Sequence, residues 1–446
     1  MRFLPDVPIS RSQDDLLGFK SFVDLLRNAL YNTETPFVYG VIGDWGVGKT
    51  SILNLLKNQL ETDLELGKNC YVPIWFNAWE YENEANILYP LIYAIKSDYQ
   101  DRLQDLEDKE NFWSSFKKLT TSAIIAFSDL GLRVVTKKLT DEALSISDVK
   151  DMLNLIEQEG DKLGNLLNTW ADNVRLMQES FTSLFDMYAK GLCSSQKYKN
   201  IKEDSSKVRF VILIDDLDRC LPETTIAILE RIKNHLMIKN CIFVLGLNAQ
   251  VIYQGIRVKY QGLEIDGRQY LEKILNYSFY VPEPEKVVEF VKDRFEKLAG
   301  NEFTNCKEYF DEFGQVIQKC HFTNPRKVKR ILNCYLFFLS KYEIQQYHNS
   351  NIIRLIIFAE YFPQIFQLFL KKSEESIQAL YLSLKKIGEK DFKIEAFEKD
   401  YGVDIKSLYQ RLSQMQELFA LNFDTVSKKN SVAQHVIDVF QIIRLI

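Results

Sequence analysis

Short, continuously apolar segments alternate with amphipathic segments along the first hundred residues of the chain. Two apolar runs, Phe37–Ile42 and residues 70–77, have the length and the apolar continuity of buried strands. The amphipathic segments have apolar residues at helical spacing and predict helices at about 14–30, 49–60 and 84–99, the first with Asp14 as its N-cap. Strands that alternate with helices in this way are typical of a parallel α/β sheet.

The strand pattern returns in the second half of the chain. The runs at 208–214, Cys241–Leu247 and 277–281 are mainly apolar, as strands covered on both faces are. From residue 285 onward the pattern is helical throughout and rich in Phe, Tyr, Leu and Ile. We therefore predict five parallel strands followed by an all-helical region.

The segment from about residue 101 to residue 206 is charged, lacks strand patterns and is predicted to be helical. Within it, apolar residues recur at alternating steps of three and four, which forms a heptad seam: Leu167, Trp170, Val174, Met177, Phe181, Leu184 and Tyr188. Such a seam packs either against another helix of the same chain or against a second chain. We favour packing within the chain and interpret the segment as a helical insert.

Composition indicates a folded protein of two or three domains. The chain has 446 residues, of which 46% are hydrophobic and 13% aromatic, so it has ample apolar surface to bury. A net charge of −5 argues against a protein that coats nucleic acid with its whole surface. Seven Cys without paired spacing fit a reducing compartment, and four scattered His do not suggest a metal cluster. The first residues lack a signal-peptide pattern, and no apolar run has the roughly 18–20 residues of a membrane span. We expect a soluble, cytoplasmic protein.

Residues 43–50, Gly-Asp-Trp-Gly-Val-Gly-Lys-Thr, match the pattern G-x-x-x-x-G-K-[ST] between a predicted strand and a predicted helix. Glycines let the backbone N–H groups of such a loop surround a phosphate, and the helix that follows adds the positive end of its dipole. Lys49 is placed to bridge the β- and γ-phosphates, and the Thr50 hydroxyl to ligate Mg²⁺. We predict that a nucleoside triphosphate, ATP in our leading interpretation, binds here through Gly43, Asp44, Trp45, Gly46, Val47, Gly48, Lys49, Thr50 and Ser51. No guanine-reading motif is apparent, and the choice between ATP and GTP stays open.

A second acidic element follows the predicted strand 208–214, which leads directly into Asp215-Asp216-Leu217-Asp218-Arg219. The carboxyl ends of parallel strands face one crevice, so these carboxylates should meet the phosphate loop. We predict that Asp215 holds Mg²⁺ and that Asp216 orients or deprotonates the attacking water. For Asp218, a role in the site and a simple N-cap of the next helix remain open.

The distance between the two elements predicts the topology. Lys49 and Asp215 are 215 − 49 = 166 positions apart, which leaves room for the insert and for an added strand between them. Such a strand marks the P-loop proteins that activate water, whereas in kinases the two elements commonly lie on neighbouring strands. The predicted fold class is α/β: a P-loop NTPase with a parallel five-stranded sheet, a helical insert between Walker A and Walker B, and an all-helical C-terminal region. The predicted parts are 1–100 and 207–284 for the two halves of the NTPase core, 101–206 for the insert, 285–345 for a helical lid and 346–446 for a C-terminal helical domain.

Two more polar residues are candidates for the same pocket. Asn248 ends the fourth predicted strand, where its side chain either contacts the γ-phosphate or the attacking water, or caps the next helix. Arg326 follows Asn324 and Pro325 at the start of an apolar helix, where a cation opposes the helix dipole. A bound phosphate would compensate that charge, so we predict that Arg326 contacts the nucleotide; the alternative is a surface arginine.

With these elements in this order, the sequence resembles the KAP family of P-loop NTPases. The motifs that support the resemblance are GDWGVGKTS at the loop, FNAWEYE at 76–82, FVILIDDLDRC at 210–220, YLEKILNYSFYVP at 270–282 and NPRKVKRILN at 324–333. The resemblance covers roughly residues 10–340 apart from the insert, and FNAWEYE is its most distinctive part. It implies that Asp215 and Asp216 are metal-binding and catalytic acids and that Arg326 is a second sensor.

The resemblance also implies roles for neighbouring residues. Arg219 would act across a subunit interface or in cis, and Trp79 and Glu80 would support the site, although a purely structural role for Trp79 is equally open. The sequence departs from the family in two places. Many members have transmembrane helices between the Walker elements, where this chain has a polar helical insert, and the family often has Asp where this chain has Asn248.

These features lead to a functional hypothesis with two alternatives. We expect an ATP-driven conformational or assembly switch that uses ATP and Mg²⁺, self-associates or acts with a separately encoded effector, and belongs to a bacterial anti-phage defence system. No membrane attachment is expected. The first alternative is a nucleic-acid motor or clamp, which would use the basic residues Lys327, Lys329 and Arg330. The second is a small-molecule kinase with the same loop.

Overall fold

Five parallel strands form the central sheet of the computed structural model: β1 (Phe37–Ile42), β2 (Tyr71–Asn77), β3 (Arg209–Asp215), β4 (Cys241–Leu247) and β5 (Tyr277–Tyr280). Their order across the sheet is β2-β3-β4-β1-β5. The structure describes residues 3–82, 88–104, 170–198, 201, 204–261, 265–299, 307–319, 322–341, 349–370, 374–389, 391–406, 409, 412–413 and 418. All five strands lie within one residue of their predicted bounds.

The strand order confirms the predicted added strand. β4 pairs with β1 on one side and with β3 on the other, so it separates the strand before the phosphate loop from the strand before the acidic element. Ile42 at the end of β1 is in register with Leu247 at the end of β4. The loops that follow β1 and β3 therefore open at the same edge of the sheet, on either side of β4.

Helices cover both faces of the sheet because successive strand residues point to opposite sides. The described helices are α1 (Lys20–Tyr31), α2 (Lys49–Glu65), α3 (Leu88–Arg102), α4 (Trp170–Ser194), α5 (Pro222–His235), α6 (Ala249–Lys259), α7 (Gly267–Ile274), α8 (Val287–Ala299), α9 (Lys307–Lys319), α10 (Pro325–Lys341), α11 (Asn349–Tyr361), α12 (Pro363–Leu370), α13 (Glu374–Lys385) and α14 (Ile394–Tyr401). In β4, Ile242 and Val244 lie in the core beneath α1 and α2, whereas Phe243 and Leu245 lie in the core beneath α3 to α7.

The described part of the heptad seam packs within the chain, as predicted. Phe181, Leu184 and Tyr188 of α4 are buried in the sheet core. The ring of Tyr188 lies 5.1 Å from the ring of Phe210 on β3 and 5.1 Å from that of Tyr99 on α3. The seam thus covers the sheet as well as a neighbouring helix. Residues 105–169, which make up most of the predicted insert, lie outside the described residues.

Arg102, at the end of α3, joins the segments that flank those residues. Its guanidinium donates to both carboxylate oxygens of Glu61 on α2 and, over 2.9 Å, to the carbonyl oxygen of Pro73 on β2. It also donates to Asp98 over 2.9 Å, and Asp98 accepts a 2.6 Å hydrogen bond from Tyr188 on α4. A buried cation needs such partners to offset its lost hydration, and here they connect α2, α3, α4 and β2.

The helices from α8 to α14 form a second core, separate from the two cores of the sheet. The N-terminal segment 3–10, which we call the leader, contacts both regions. Leu4 packs against the second core, and Ile9 packs against the sheet core beneath α1 and α2. The leader therefore connects the C-terminal helices to the side of the sheet that bears α2.

The first helix begins later than predicted, and Asp14 is not its N-cap. Asp14 lies in a short 3₁₀ turn, Ser12–Asp14, and α1 begins at Lys20. Gly18, with a φ of 85°, interrupts the helical path between them. The N-cap position is Phe19, which has no capping side chain, and the carboxylate of Asp15 accepts hydrogen bonds from the backbone N–H groups of Gly18 and Lys20.

Candidate nucleotide-binding site

The loop between β1 and α2 is curved by two glycines in the left-handed backbone region. Gly46 has a φ of 81° and Gly48 a φ of 106°, conformations that residues with side chains rarely adopt. Close packing also requires Gly46, because a Cβ atom there would lie 2.7 Å from Cβ of Arg326 and 2.8 Å from Oδ1 of Asn324. A curved backbone with the N-terminus of α2 behind it suits an anion such as phosphate.

The variant Gly46→Ala should lose about tenfold or more of its nucleotide affinity while it remains folded. The added methyl group forces both a strained φ, costing about 1–2 kcal/mol, and a shift of the start of α10. Gly402→Ala is a matched control, because Gly402 has a φ of 70° and a Cβ atom added there would meet nothing within 4 Å. Both variants should lose stability in urea titrations, but only Gly46→Ala should bind a nucleotide analogue more weakly. Equal affinities would mean that this close approach does not shape the loop.

Lys49, the first residue of α2, is buried and fully engaged with the protein. Its Nζ lies 2.9 Å from the carbonyl oxygen of Gly43 and 3.1 Å from that of Asp44. Its third contact is an ion pair of 3.0 Å with Oδ2 of Asp218, in which the two side chains are 8% and 3% exposed. The loop after β1 and the turn after β3 therefore meet directly, as the sequence predicts.

Asp215 ends β3 in a buried position beside Thr50. Burial raises the pKa of the Asp215 carboxyl above its ordinary value, and the Asp216 carboxylate acts in the same direction. A hydrogen bond from the Thr50 side chain opposes this rise. The hydroxyl and the carboxylate thus lie near each other, and oxygen donors of this kind are those that Mg²⁺ accepts together with substrate phosphates. The pair fits the predicted magnesium ligands.

Asp216 occupies the left-handed region with a φ of 56°, an uncommon conformation for a residue with a side chain. Its carboxylate forms a 2.8 Å ion pair with Nε of Arg219 and accepts a 3.4 Å hydrogen bond from Nδ2 of Asn77. Burial raises the pKa of Asp216, and the charge of Arg219 partly opposes that effect. The predicted general base is thus held by two side chains, one from its own turn and one from β2.

The FNAWEYE motif supports the acidic turn from the side of β2. Asn77 is in register with Asp215, and the side chain of Trp79 lies against Arg219, with 5.1 Å between the ring centroid and the guanidinium carbon. The Glu82 carboxylate accepts a hydrogen bond from the backbone N–H of Leu221. Within this chain, Arg219 therefore contacts Asp216 and Trp79. Glu80, the residue suggested by the resemblance, is exposed, and Glu82 contacts the turn instead.

Asn248 follows β4, between the two loops, and caps α6. Its Oδ1 accepts a 3.0 Å hydrogen bond from the backbone N–H of Gln250, and the residue is buried. Of the two alternatives for Asn248, the N-cap is therefore present in the structure. A cap uses only the oxygen of the side-chain amide, so it does not exclude contact between the amide NH₂ group and a ligand.

Arg326 lies at the start of α10, directly above the phosphate loop. Its backbone N–H donates to the carbonyl oxygen of Gly46 over 3.3 Å, and Asn324 Nδ2 donates to that of Trp45 over 2.8 Å. The Arg326 guanidinium is half-exposed and pairs with Asp6 of the leader. Asp6 also lies 3.8 Å from Nζ of Lys329. The predicted sensor is thus next to the loop, with a carboxylate as its present partner.

Comparison with known families agrees with this geometry. Residues 19–340, more than half of the chain, match the family described as the KAP family P-loop domain. The chain belongs to the KAP family of P-loop NTPases. This confirms the resemblance drawn from the motifs.

Individual relatives are more distant from this KAP protein. The phage T7 exclusion protein of Escherichia coli (strain K12) is 22% identical over 284 residues, which are 63% of this chain and 35% of that protein. The KAP chain thus spans about a third of that relative's length. Two solved structures of the Aeropyrum pernix ORC2 protein, in ADPNP–ADP complexes and in the ADP form, are 12% and 11% identical. The first match covers 96% of this chain and 94% of the ORC2 chain, and the second covers 100% and 96%, respectively. The TM-score is 0.35 for each, which is too low to support a functional argument.

A cavity of about 480 Å³ lies beside the phosphate loop of the KAP domain. Gly48 and Ser51 form part of its wall, and Phe290, Arg294 and Lys329 line it from α8 and α10. The leader closes another side, where the backbone N–H of Ile9 donates to Oγ of Ser51 over 3.2 Å. The cavity thus adjoins the predicted phosphate-binding residues and is bounded by the leader and the C-terminal helices.

Four residues of the KAP site were not predicted from the sequence, or were left open. Asp218 pairs with Lys49, Asn77 and Glu82 brace the acidic turn, and Asp6 pairs with Arg326. The strand register could have indicated Asn77, because it ends β2 as Asp215 ends β3.

No helix in the described ranges combines the length and the apolar character that crossing a membrane requires.

Proposed function

We propose that this KAP protein binds ATP with Mg²⁺, hydrolyses it, and uses the cycle to change the arrangement of its C-terminal helices. One observation carries the proposal: a lysine from the loop after β1 and the carboxylates from the turn after β3 converge at one site. The contact between Lys49 and Asp218, 3.0 Å long, joins segments that are 169 positions apart, 218 − 49. In nucleoside-triphosphatases, the functional core consists of a P-loop and of acidic residues at the end of a nearby strand, arranged in this way.

In this proposal the phosphates bind to the loop and the nucleoside occupies the adjoining cavity. The backbone N–H groups around Gly46 and Gly48 contact the phosphate oxygens, together with the ammonium of Lys49. Ser51 lies where the loop meets the cavity and binds the phosphate nearest the nucleoside. Thr50 and Asp215 would hold Mg²⁺, which would neutralise part of the negative charge of the triphosphate.

Hydrolysis needs a group that orients a water molecule and accepts its proton, and we assign this role to Asp216. Its raised pKa, caused mainly by burial, moves the carboxylate toward the range in which it accepts a proton more readily. Arg219 and Asn77 fix the direction of the carboxylate. The amide NH₂ group of Asn248 contacts the γ-phosphate or the water from β4, and its oxygen remains the cap of α6.

The start of α10 couples the nucleotide to the C-terminal helices. Asn324 and Arg326 both contact the loop backbone, and α10 belongs to the core that α8 to α14 form. A γ-phosphate in the loop would attract the half-exposed guanidinium of Arg326 away from Asp6. That change of partner would move α10, and with it the surface that the helical core presents to a partner.

We further propose that the protein acts in bacterial defence against phage, as an oligomer or with a separately encoded effector. The name of the phage T7 exclusion protein supports this role, although the match spans about a third of that protein. Infection of bacteria that carry the gene with its neighbouring genes tests the role. A strain with the Lys49→Ala variant should yield more plaques, whereas equal plaque numbers on both strains would contradict an ATP-dependent defence.

The structure favours this function over the two alternatives. The strand β4 between β1 and β3 argues against a kinase, in which the two elements commonly lie on neighbouring strands. The basic residues that suggested nucleic-acid binding have partners within the chain. Lys327 lies over the ring of Tyr361, Lys329 is near Asp6, and Arg330 pairs with Glu360.

Removing magnesium should stop phosphate release by the purified protein. Thr50 and Asp215 offer one hydroxyl and one carboxylate, and without the cation the buried Asp215 would repel the triphosphate. Phosphate release is measured with excess chelator and again after magnesium is restored in excess. Recovery of the rate is the control for damage by the chelator, and release that continues in its presence would contradict a metal site at Thr50 and Asp215.

A further inference from the structure

The ammonium group of Lys49 has three hydrogens to donate, and three protein oxygens surround it. Two are the carbonyl oxygens of Gly43 and Asp44, at 2.9 and 3.1 Å. The third is Oδ2 of Asp218 at 3.0 Å. Two of the three hydrogens are therefore donated to the loop backbone, and the remaining charge of the ammonium faces the Asp218 carboxylate. A phosphate that contacts Lys49 must take the place of one of these three oxygens.

Asp218 is the partner that a phosphate replaces most readily. Its Oδ2 atom lies within ion-pair distance of Lys49 but accepts no well-aligned hydrogen bond from the part of the chain that the structure describes. The two carbonyl oxygens, in contrast, accept hydrogen bonds of good geometry from Lys49 and belong to the loop itself. A phosphate is an anion like the carboxylate, so it competes for the same charge.

Asp218 also stays near the site after it is displaced. Its side chain is 3% exposed and belongs to the turn that holds Asp216 through Arg219. The carboxylate therefore has no path to solvent without rearrangement of that turn. A buried negative charge next to a triphosphate opposes binding, since like charges in a poorly solvated site repel strongly.

We propose that Asp218 is a positioning residue that acts through Lys49, as the counter-ion which the nucleotide phosphates replace. This inference rests on the proposed binding of nucleotide at Lys49. In the absence of nucleotide, Asp218 neutralises the charge of the buried Lys49. When nucleotide is bound, the Asp218 carboxylate lowers the affinity of the site for it. The residue thus sets a lower nucleotide affinity, which favours release of the product and exchange for new ATP.

The variant Asp218→Asn separates this role from a purely structural one. It should bind a non-hydrolysable ATP analogue, with magnesium, about tenfold or more tightly than the wild type, because the repelling and competing charge is gone. Without nucleotide it should be less stable, because Lys49 is left as an unpaired buried charge. The measurements are isothermal titration of the analogue and urea unfolding of the free protein. A merely structural residue would lower both stability and affinity.

Asp63→Asn is the matched control. Asp63, which lies on α2, is a buried carboxylate like Asp218. It pairs with Arg27 over 3.3 Å and with the hydroxyl of Tyr31 over 2.8 Å, and it is 63 − 49 = 14 positions from Lys49 along the chain. Its variant should lose stability and keep the wild-type nucleotide affinity. Tighter binding by Asp63→Asn as well would mean that loosening of the fold, and not the charge of Asp218, raises the affinity.

A double-variant cycle tests the ion pair without any nucleotide. Lys49→Met and Asp218→Asn should each lower the urea midpoint, and the variant with both changes should recover most of the loss. Additive losses would overturn the counter-ion role, as would an Asp218→Asn variant that binds the analogue no more tightly than the wild type. If the wild type binds the analogue but the variant shows no gain, this inference fails alone. A wild type that binds no nucleotide would overturn the proposed function together with it.

Discussion

Replacing Lys49 with alanine should reduce the affinity for ATP by about a hundredfold or more. Lys49 supplies a buried positive charge to the phosphates, and charge-assisted hydrogen bonds are each worth about 1.5–3 kcal/mol. One such bond corresponds to a loss of roughly one to two orders of magnitude, at about 1.4 kcal/mol for each factor of ten, and loss of the attraction between the buried charge and the phosphates adds to it. Titration of a fluorescent ATP analogue measures the affinity, and phosphate release should fall in parallel.

Stability has to be measured alongside affinity, because the alanine leaves Asp218 buried without its cation. Breaking one side of a buried ion pair costs about 3–5 kcal/mol, so weak binding could reflect unfolding. The variant that combines Lys49→Ala with Asp218→Asn removes both charges and should regain stability, yet still bind ATP poorly. A folded Lys49→Ala variant with the wild-type affinity would exclude the loop after β1 as the phosphate site.

The Asp216→Asn variant should bind ATP as the wild type does and hydrolyse it about 10²–10⁴ times more slowly. Asparagine has the shape of aspartate and can still accept a hydrogen bond from Arg219, but it cannot accept a proton from water. Affinity for a non-hydrolysable analogue and the rate of phosphate release in a single turnover separate binding from chemistry. The variant should therefore accumulate in the ATP-bound state.

Asp204→Asn is the control for this prediction. Asp204 is an exposed carboxylate before β3 that caps the short turn Ser205–Lys207, a role that asparagine also performs. Its variant should retain the wild-type rate. Normal turnover by Asp216→Asn, with Asp204→Asn also normal, would mean that a different group accepts the proton. Lost affinity in Asp216→Asn would instead assign Asp216 to the binding of nucleotide.

The strands were predictable because a parallel sheet covered on both faces requires continuous apolar runs. Phe37–Ile42 and Cys241–Leu247 were predicted with the bounds that the structure has, and β4 lies between β1 and β3 as the long separation of Lys49 and Asp215 suggested. The start of α1 was mispredicted. The helical spacing of apolar residues includes residues 14–19, but Gly18 has a positive φ, which is incompatible with a continuous α-helix. The spacing of apolar residues does not reveal this backbone conformation.

The part of the site that could be predicted is the part whose functional residues all lie within one short segment. The loop at 43–50 follows a fixed spacing, since a phosphate must be surrounded by consecutive backbone N–H groups. Contacts between distant segments were harder to foresee. The sequence left Asp218 open between a site residue and a helix cap, and its contact with Lys49 depends on the register of β3, β4 and β1.

By itself, the amino-acid sequence determined the α/β pattern, the phosphate loop and the acidic strand end, because each arises from residues close together in the chain. The tertiary structure decided the partners: Asp218 for Lys49, Arg219 and Asn77 for Asp216, and Asp6 for Arg326. An ion pair between remote residues forms only when the packing of strands and helices brings two side chains within about 4 Å of each other. No local periodicity encodes that distance.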